Sequence, residues 1–93
     1  MSADEVVTQA AQLITSGDYA GAMAVFEGYI DSNPDDPAGY HGWAEAALFD
    51  IQENGNLDDK GNDRINEGQI NAYFRRAASM APENADYNAA YAN

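Results

Sequence analysis

Apolar side chains recur along this chain at helical spacing, and glycine or proline interrupts the pattern between runs. Val6, Ala10, Leu13 and Ile14 lay an apolar stripe on a first helix, predicted over residues 3–16. Ser2 with Glu5 three residues on has the form of a capping box, and Gly17 supplies the left-handed residue that ends the helix. Asp18 caps a second helix over residues 19–32, whose inner face is Ala22, Val25, Phe26, Tyr29 and Ile30. Gly21 and Gly28 lie inside it, each costing about 1 kcal/mol relative to alanine, a cost that a closely approaching neighbour would justify. Asn33 before Pro34 is pushed out of helical geometry. Asp36 then caps, Pro37 takes the first helical position, and a third helix is predicted over residues 37–53. Its broad apolar face carries Tyr40, Trp43, Ala44, Ala47, Leu48 and Ile51. Residues 55–62 read as a polar loop. A fourth helix, predicted from near residue 63 to just before Pro82, carries Ile65, Ile70, Tyr73, Phe74, Ala77 and Met80. Asn84 opens a last short helix over residues 85–92 with Tyr87 and Tyr91, which has to dock on the others to be stable. The fold class expected is therefore all-α, in a single domain.

The pattern repeats. Val6 and Tyr40, and Ala10 and Ala44, are 34 positions apart, whereas Phe26 and Phe74, and Pro34 and Pro82, are 48 apart. The difference is an insertion of 14 residues near 51–64, expected to lengthen the third and fourth helices into a taller hairpin with a projecting tip. A 34-residue period, with Gly17-Asp18-Tyr19, Ala22-x3-Phe26 and Pro34 in one unit and Tyr40, Trp43-Ala44, Phe74, Ala77 and Pro82 in the next, resembles the tetratricopeptide repeat family. Gln9 and Ile70 depart from its pattern, at positions where a large apolar and a small residue are usual. The rival reading is an unrelated four-helix bundle.

The resemblance implies antiparallel helix hairpins stacked as a short right-handed superhelix. Repeat one would span about 3–36, repeat two about 37–84, and a capping helix about 85–92. It also implies a concave groove, lined by the first helix of each pair, that binds a peptide or partner domain. By register the groove takes Val7, Ala11 and Ile14 from the first helix and His41, Glu45, Leu48 and Phe49 from the third. Relatives that clamp a peptide carboxylate do so with Lys, Asn and Arg. Here Val7, Ala11, Ala38 and Gly42 stand at those places, so an apolar or basic segment fits better than an acidic C-terminus. The register also sets Trp43 between the two pairs, near Phe26 and Phe74. Two units are few for a stacked array, which leaves open a longer chain, association through the open end, or a terminal segment that covers it.

Charge changes the picture most. Sixteen acids face four bases for a net −12, which disfavours nucleic acid and anionic membrane and suits either high salt or a basic partner. There is no cysteine, no apolar run of membrane-spanning length and no secretory signal, which points to a cytoplasmic protein.

Candidate chemistry is thin. His41 and Glu45 share a helix face, but one histidine does not make a zinc site. Asp58, Asp59 and Asp63 are weak candidates for a degenerate calcium loop: counted from Asp58, Lys60 occupies a ligand position, Asp63 replaces the central glycine and Gln69 replaces the closing glutamate. No phosphate loop or nucleophile–base constellation is present, so neither an enzyme nor a cofactor is expected. The sequence thus predicts a protein-binding scaffold, with a self-associating module and a calcium-binding helical domain as the alternatives.

Overall fold

A computed structural model describes residues 2–84. They form four helices: α1 (Ala3–Thr15), α2 (Tyr19–Ser32), α3 (Pro37–Asn54) and α4 (Glu67–Met80). No strand is present among the described residues, and the expected capping helix, with Tyr87 and Tyr91, lies outside them.

The ends of the helices are set by side chains. Ser2 and Glu5 close the capping box on α1, with Glu5 N–H donating to Ser2 Oγ at 3.2 Å and Ser2 N–H to Glu5 Oε1 at 3.1 Å. At its other end Gly17 adopts φ 86°. Gly17 N–H donates to Ile14 O at 3.0 Å and Asp18 N–H to Leu13 O at 2.8 Å, the paired bonds of a Schellman motif. Asp18 then caps α2 through Gly21 N–H, at 2.9 Å, so the whole α1–α2 reversal takes three residues. The α2–α3 connection is tied by two tyrosines. Tyr29 OH donates to the Asp36 carboxylate and Tyr40 OH to Pro34 O at 2.6 Å, while Asp36 itself caps Ala38 N–H at 3.0 Å. The Asp36 bond and burial push the Tyr29 phenol up to about 12.

Packing follows the predicted pairs. α1 lies on α2, α2 on α3 and α3 on α4, and α1 also touches α3. The corresponding positions of the two hairpins, Val6 and Tyr40, Ala10 and Ala44, Phe26 and Phe74, are all buried, so the sequence repeat is a repeat of packing positions. Ala22, Tyr29, Trp43, Ala46, Ala47 and Ile70 complete the core cluster.

Two expectations are corrected. First, α4 begins at Glu67, capped by Asn66, and not near residue 63. The insertion lengthens α3, 18 residues against 13 for α1, but not α4, whose 14 residues equal those of α2. The remaining extra residues form a folded connection, residues 55–66.

Second, the glycines that admit a neighbour are on α3, not α2. A Cβ at Gly42 would overlap the Phe26 ring, and one at Gly39 would lie 2.8 Å from Ile30 Cγ1. A Cβ at Gly28 would meet nothing within 4 Å, and one at Gly21 only its own capping Asp18. Gly28→Ala is therefore expected to stabilise by about 0.5–1 kcal/mol, through lower chain entropy in the unfolded state. Gly42→Ala is expected to destabilise by about 1–3 kcal/mol, because the buried Phe26 ring has to move. Denaturant midpoints of the two variants should shift in opposite directions; a common direction would refute the assignment of the close approach.

Trp43 lies in one core cluster with Phe26 and Phe74, the neighbours its register assigns, and its ring also meets Tyr73 edge-on with centroids 5.1 Å apart. Around it, Phe26 meets Gly42 and Phe74 stands edge-on to His41.

Candidate functional site

With Gly39, Tyr40, Gly42, Trp43, Ala44, Ala46, Ala47 and Asp50 buried, α3 presents one outward stripe: Glu45, Leu48, Phe49, Gln52 and Glu53. These positions are spaced three and four apart and share a helix face. Leu48 is 37% exposed and Phe49 39%, adjacent large apolar side chains left in solvent. One turn toward the N-terminus, His41 Nε2 lies 3.4 Å from Glu45 Oε2. The His41 hydrogen bond holds the Glu45 carboxyl below the usual range despite burial acting the other way. The His41 ring also stands edge-on to Phe74 at 5.6 Å, so it is a mostly buried link between α3 and α4 with one nitrogen turned to Glu45.

On α1, Val7 is 48% exposed, and with Thr8, Ala11, Gln12 and Thr15 it lines a shallow depression. Ile14 is different: it is partly buried and packs against the core cluster. Of the seven groove positions, Val7 with Ala11, His41 with Glu45, and Leu48 with Phe49 are thus neighbours on their own helices, and α1 touches α3.

The Asp58 segment does different work from a calcium loop. Asp58 Oδ1 accepts the backbone N–H of Lys60 at 2.8 Å and of Asn62 at 2.9 Å, and Leu57 and Asp63 form an antiparallel bridge. The Asp58 carboxylate is occupied in closing a turn. Among the described residues no three His, Cys, Asp or Glu side chains come together in a way that could hold a metal ion, so Asp58, Asp59 and Asp63 form no such group.

Sequence reasoning missed the polar centre that fastens this connection. Asp50, 7% exposed, is the buried charged side chain of the described core. Its Oδ1 accepts from Arg64 Nη2 at 2.9 Å and from Asn54 Nδ2 at 3.0 Å. The Arg64 guanidinium also donates to Gly55 O, at 2.6 Å from Nη2, covering a carbonyl at the end of α3. Asn56 zips the loop shut, accepting Ile65 N–H at 2.8 Å and donating to Ile65 O at 2.9 Å and Glu67 Oε2 at 3.1 Å. Burial raises the Asp50 pKa, but Asn54 and Arg64 together outweigh it and hold the carboxyl below its ordinary value. The available signal was an acid at position 50, three residues beyond Ala47 on the apolar stripe, in a chain with only four bases.

No helix is long and apolar enough to cross a membrane among the described residues. Comparison with protein-family models, with curated proteins and with solved structures returns no match to this chain.

Proposed function

We propose that this chain is a protein–protein interaction scaffold of the tetratricopeptide kind, a short right-handed stack of helix hairpins that takes a peptide or partner domain on the face shared by α1 and α3. The observation that carries the reading is the exposure of Val7, Leu48 and Phe49 on the first helix of each pair, beside buried residues at the repeating positions. Large apolar side chains left in solvent on one kind of helix fit a surface that a partner covers. The stripe carries no nucleophile beside the His41–Glu45 pair, so the role proposed is binding without catalysis, and a cytoplasmic setting belongs to the same proposal.

Changing Leu48 and Phe49 together to polar residues is expected to abolish partner recovery in a pull-down while leaving the helical circular-dichroism signal intact. Unchanged recovery would remove the groove assignment. Sedimentation across protein concentration separates this reading from self-association, which would appear as a mass that rises with concentration.

The charge fits adaptation to salt. Folding gathers a net −12 into a small volume, and repulsion falls more heavily on the compact state than on the unfolded chain. The Debye length falls from about 30 Å at 0.01 M to about 3 Å at 1 M, so molar sodium chloride should raise the melting temperature. A variant with several exposed acids changed to Asn or Gln should gain less; an equal gain would show that salting-out, not charge, is responsible.

A further inference from the structure

We propose that the segment docking on α3 is basic and apolar together: apolar anchors for Leu48 and Phe49, bracketed by lysine or arginine about one helical turn away on either side. The proposal rests on the docking-face reading above and adds the chemistry of the occupant.

Three observations carry it. The first is local. Glu45, Phe49 and Glu53 stand four residues apart on the exposed stripe of α3, so each acid lies about 6 Å along the axis from the apolar pair. Glu45 and Glu53 are exposed acids, and the His41 hydrogen bond holds the Glu45 carboxyl below its ordinary value.

The second is the segregation of charge along the chain. Residues 1–54 hold ten acids and no lysine or arginine; all four bases lie between Lys60 and Arg76. No cation of α1, α2 or α3 therefore neutralises the face. Arg64 is engaged with Asp50, and Arg76 lies over the Tyr40 ring at 4.7 Å. Beyond the His41 contact to Glu45, compensating charge for the two acids is left to a partner.

The third excludes the simplest occupant. A second copy would set the same anionic stripe against its own, with a net −12 on each partner, and like-charge juxtaposition costs several kcal/mol. An acidic or neutral segment leaves the carboxylates desolvated beside the apolar contact with no counter-charge. A segment with Lys or Arg at the rim satisfies both and gains electrostatic steering toward the face.

The test is selection of random 14-residue peptides displayed on phage against the wild-type chain, with counter-selection against Leu48→Ser/Phe49→Ser. Binding of the enriched peptides is then measured by fluorescence anisotropy at 0.15 and 0.5 M salt. The expected pool carries Lys or Arg on both sides of Leu, Ile, Phe or Trp. Its members lose about tenfold in affinity on Glu45→Lys/Glu53→Lys, and about tenfold on Leu48→Ser/Phe49→Ser.

A pool of acidic or uncharged peptides that depends on Leu48 and Phe49 would overturn the chemistry while leaving the docking face standing. A pool of purely basic peptides that is indifferent to Leu48→Ser/Phe49→Ser and lost at 0.5 M salt would overturn the docking face itself, since it reports only attraction to a polyanion. Failure to enrich any peptide would overturn both. Retained helical signal in all variants, expected because the changed positions are exposed, keeps each outcome interpretable.

Discussion

Arg64→Met is expected to destabilise the protein by about 3 kcal/mol at neutral pH, at the low end of what breaking a buried ion pair costs. The reason is what it leaves behind. Asp50 stays in the core, 7% exposed, with Asn54 as its remaining partner, and the Gly55 carbonyl loses its donor. The low end applies because the Arg64 side chain keeps 32% exposure, and water already screens part of the attraction.

The pH dependence of that loss identifies its cause. In the wild type the folded-state pKa of Asp50 is depressed, so its contribution is present above the unfolded value of about 3.9 and is lost as pH falls through the folded value. In Arg64→Met, burial is the larger of the two influences that remain, and it raises the pKa. The variant therefore takes up its proton at higher pH than the wild type, and the stability gap closes as pH falls toward 4. Asp50→Leu/Arg64→Met, which removes both charges, should recover most of the loss at neutral pH. Urea midpoints at pH 7 and pH 4 measure all three. A loss below 1 kcal/mol, or a gap that does not narrow in acid, would mean that Asp50 is hydrated and the loop is held by other contacts.

The sequence was most legible where the backbone rules are local. The turn at Gly17-Asp18 and the stop at Pro34 bound α2 at Tyr19–Ser32, as predicted, because glycine, a capping aspartate and proline each act within a few residues. The start of α4 was misplaced because Asp63 looks like a capping residue. Residues 56–65 instead prefer bonds that Asn56, Asp58 and Arg64 make across the loop, and these depend on α3 and are invisible to a helical window. Periodicity counts apolar residues, so it passed over Asp50, although that residue occupies a buried position of α3. It also misjudged the glycines. Gly21 and Gly28 attract notice because they lie inside a helix, but only tertiary packing reveals that Phe26 needs the space at Gly42. On the proposed docking face Val7, Leu48 and Phe49 are exposed, whereas Ile14 lies between the two environments and packs partly on the core. A residue at the edge of an apolar stripe is assigned to core or surface by the neighbouring helix, which the stripe alone does not specify.

Trp43→Ala is expected to have the largest effect of any single truncation, about 3–5 kcal/mol, the range for removing a buried aromatic. Trp43 is 9% exposed in the cluster that joins α3 to its neighbours, and its ring meets Tyr73 edge-on at 5.1 Å with an interplanar angle of 75°. Tyr73 in turn meets Tyr40 at 5.2 Å, and Tyr40 OH holds the Pro34 carbonyl. Truncation therefore loosens α4 against α3 and also the aromatic chain that reaches the α2–α3 connection. Trp43→Phe separates size from polarity. The indole Nε1–H is buried and finds no acceptor among the described residues, a position that costs about 1–3 kcal/mol for an unsatisfied donor. Phenylalanine keeps an aromatic edge for Tyr73, loses some volume and removes the orphaned donor. The two changes oppose each other, so Trp43→Phe should cost under about 1.5 kcal/mol, the usual bound for a tolerated core exchange. Urea melts followed by far-ultraviolet circular dichroism compare the three chains, since both variants lack the single tryptophan. A loss under 1 kcal/mol for Trp43→Ala would show that α4 is held without this ring. A Trp43→Phe loss as large as that of Trp43→Ala would show that the indole N–H is satisfied in solution, and that the cluster depends on a hydrogen bond as much as on packing.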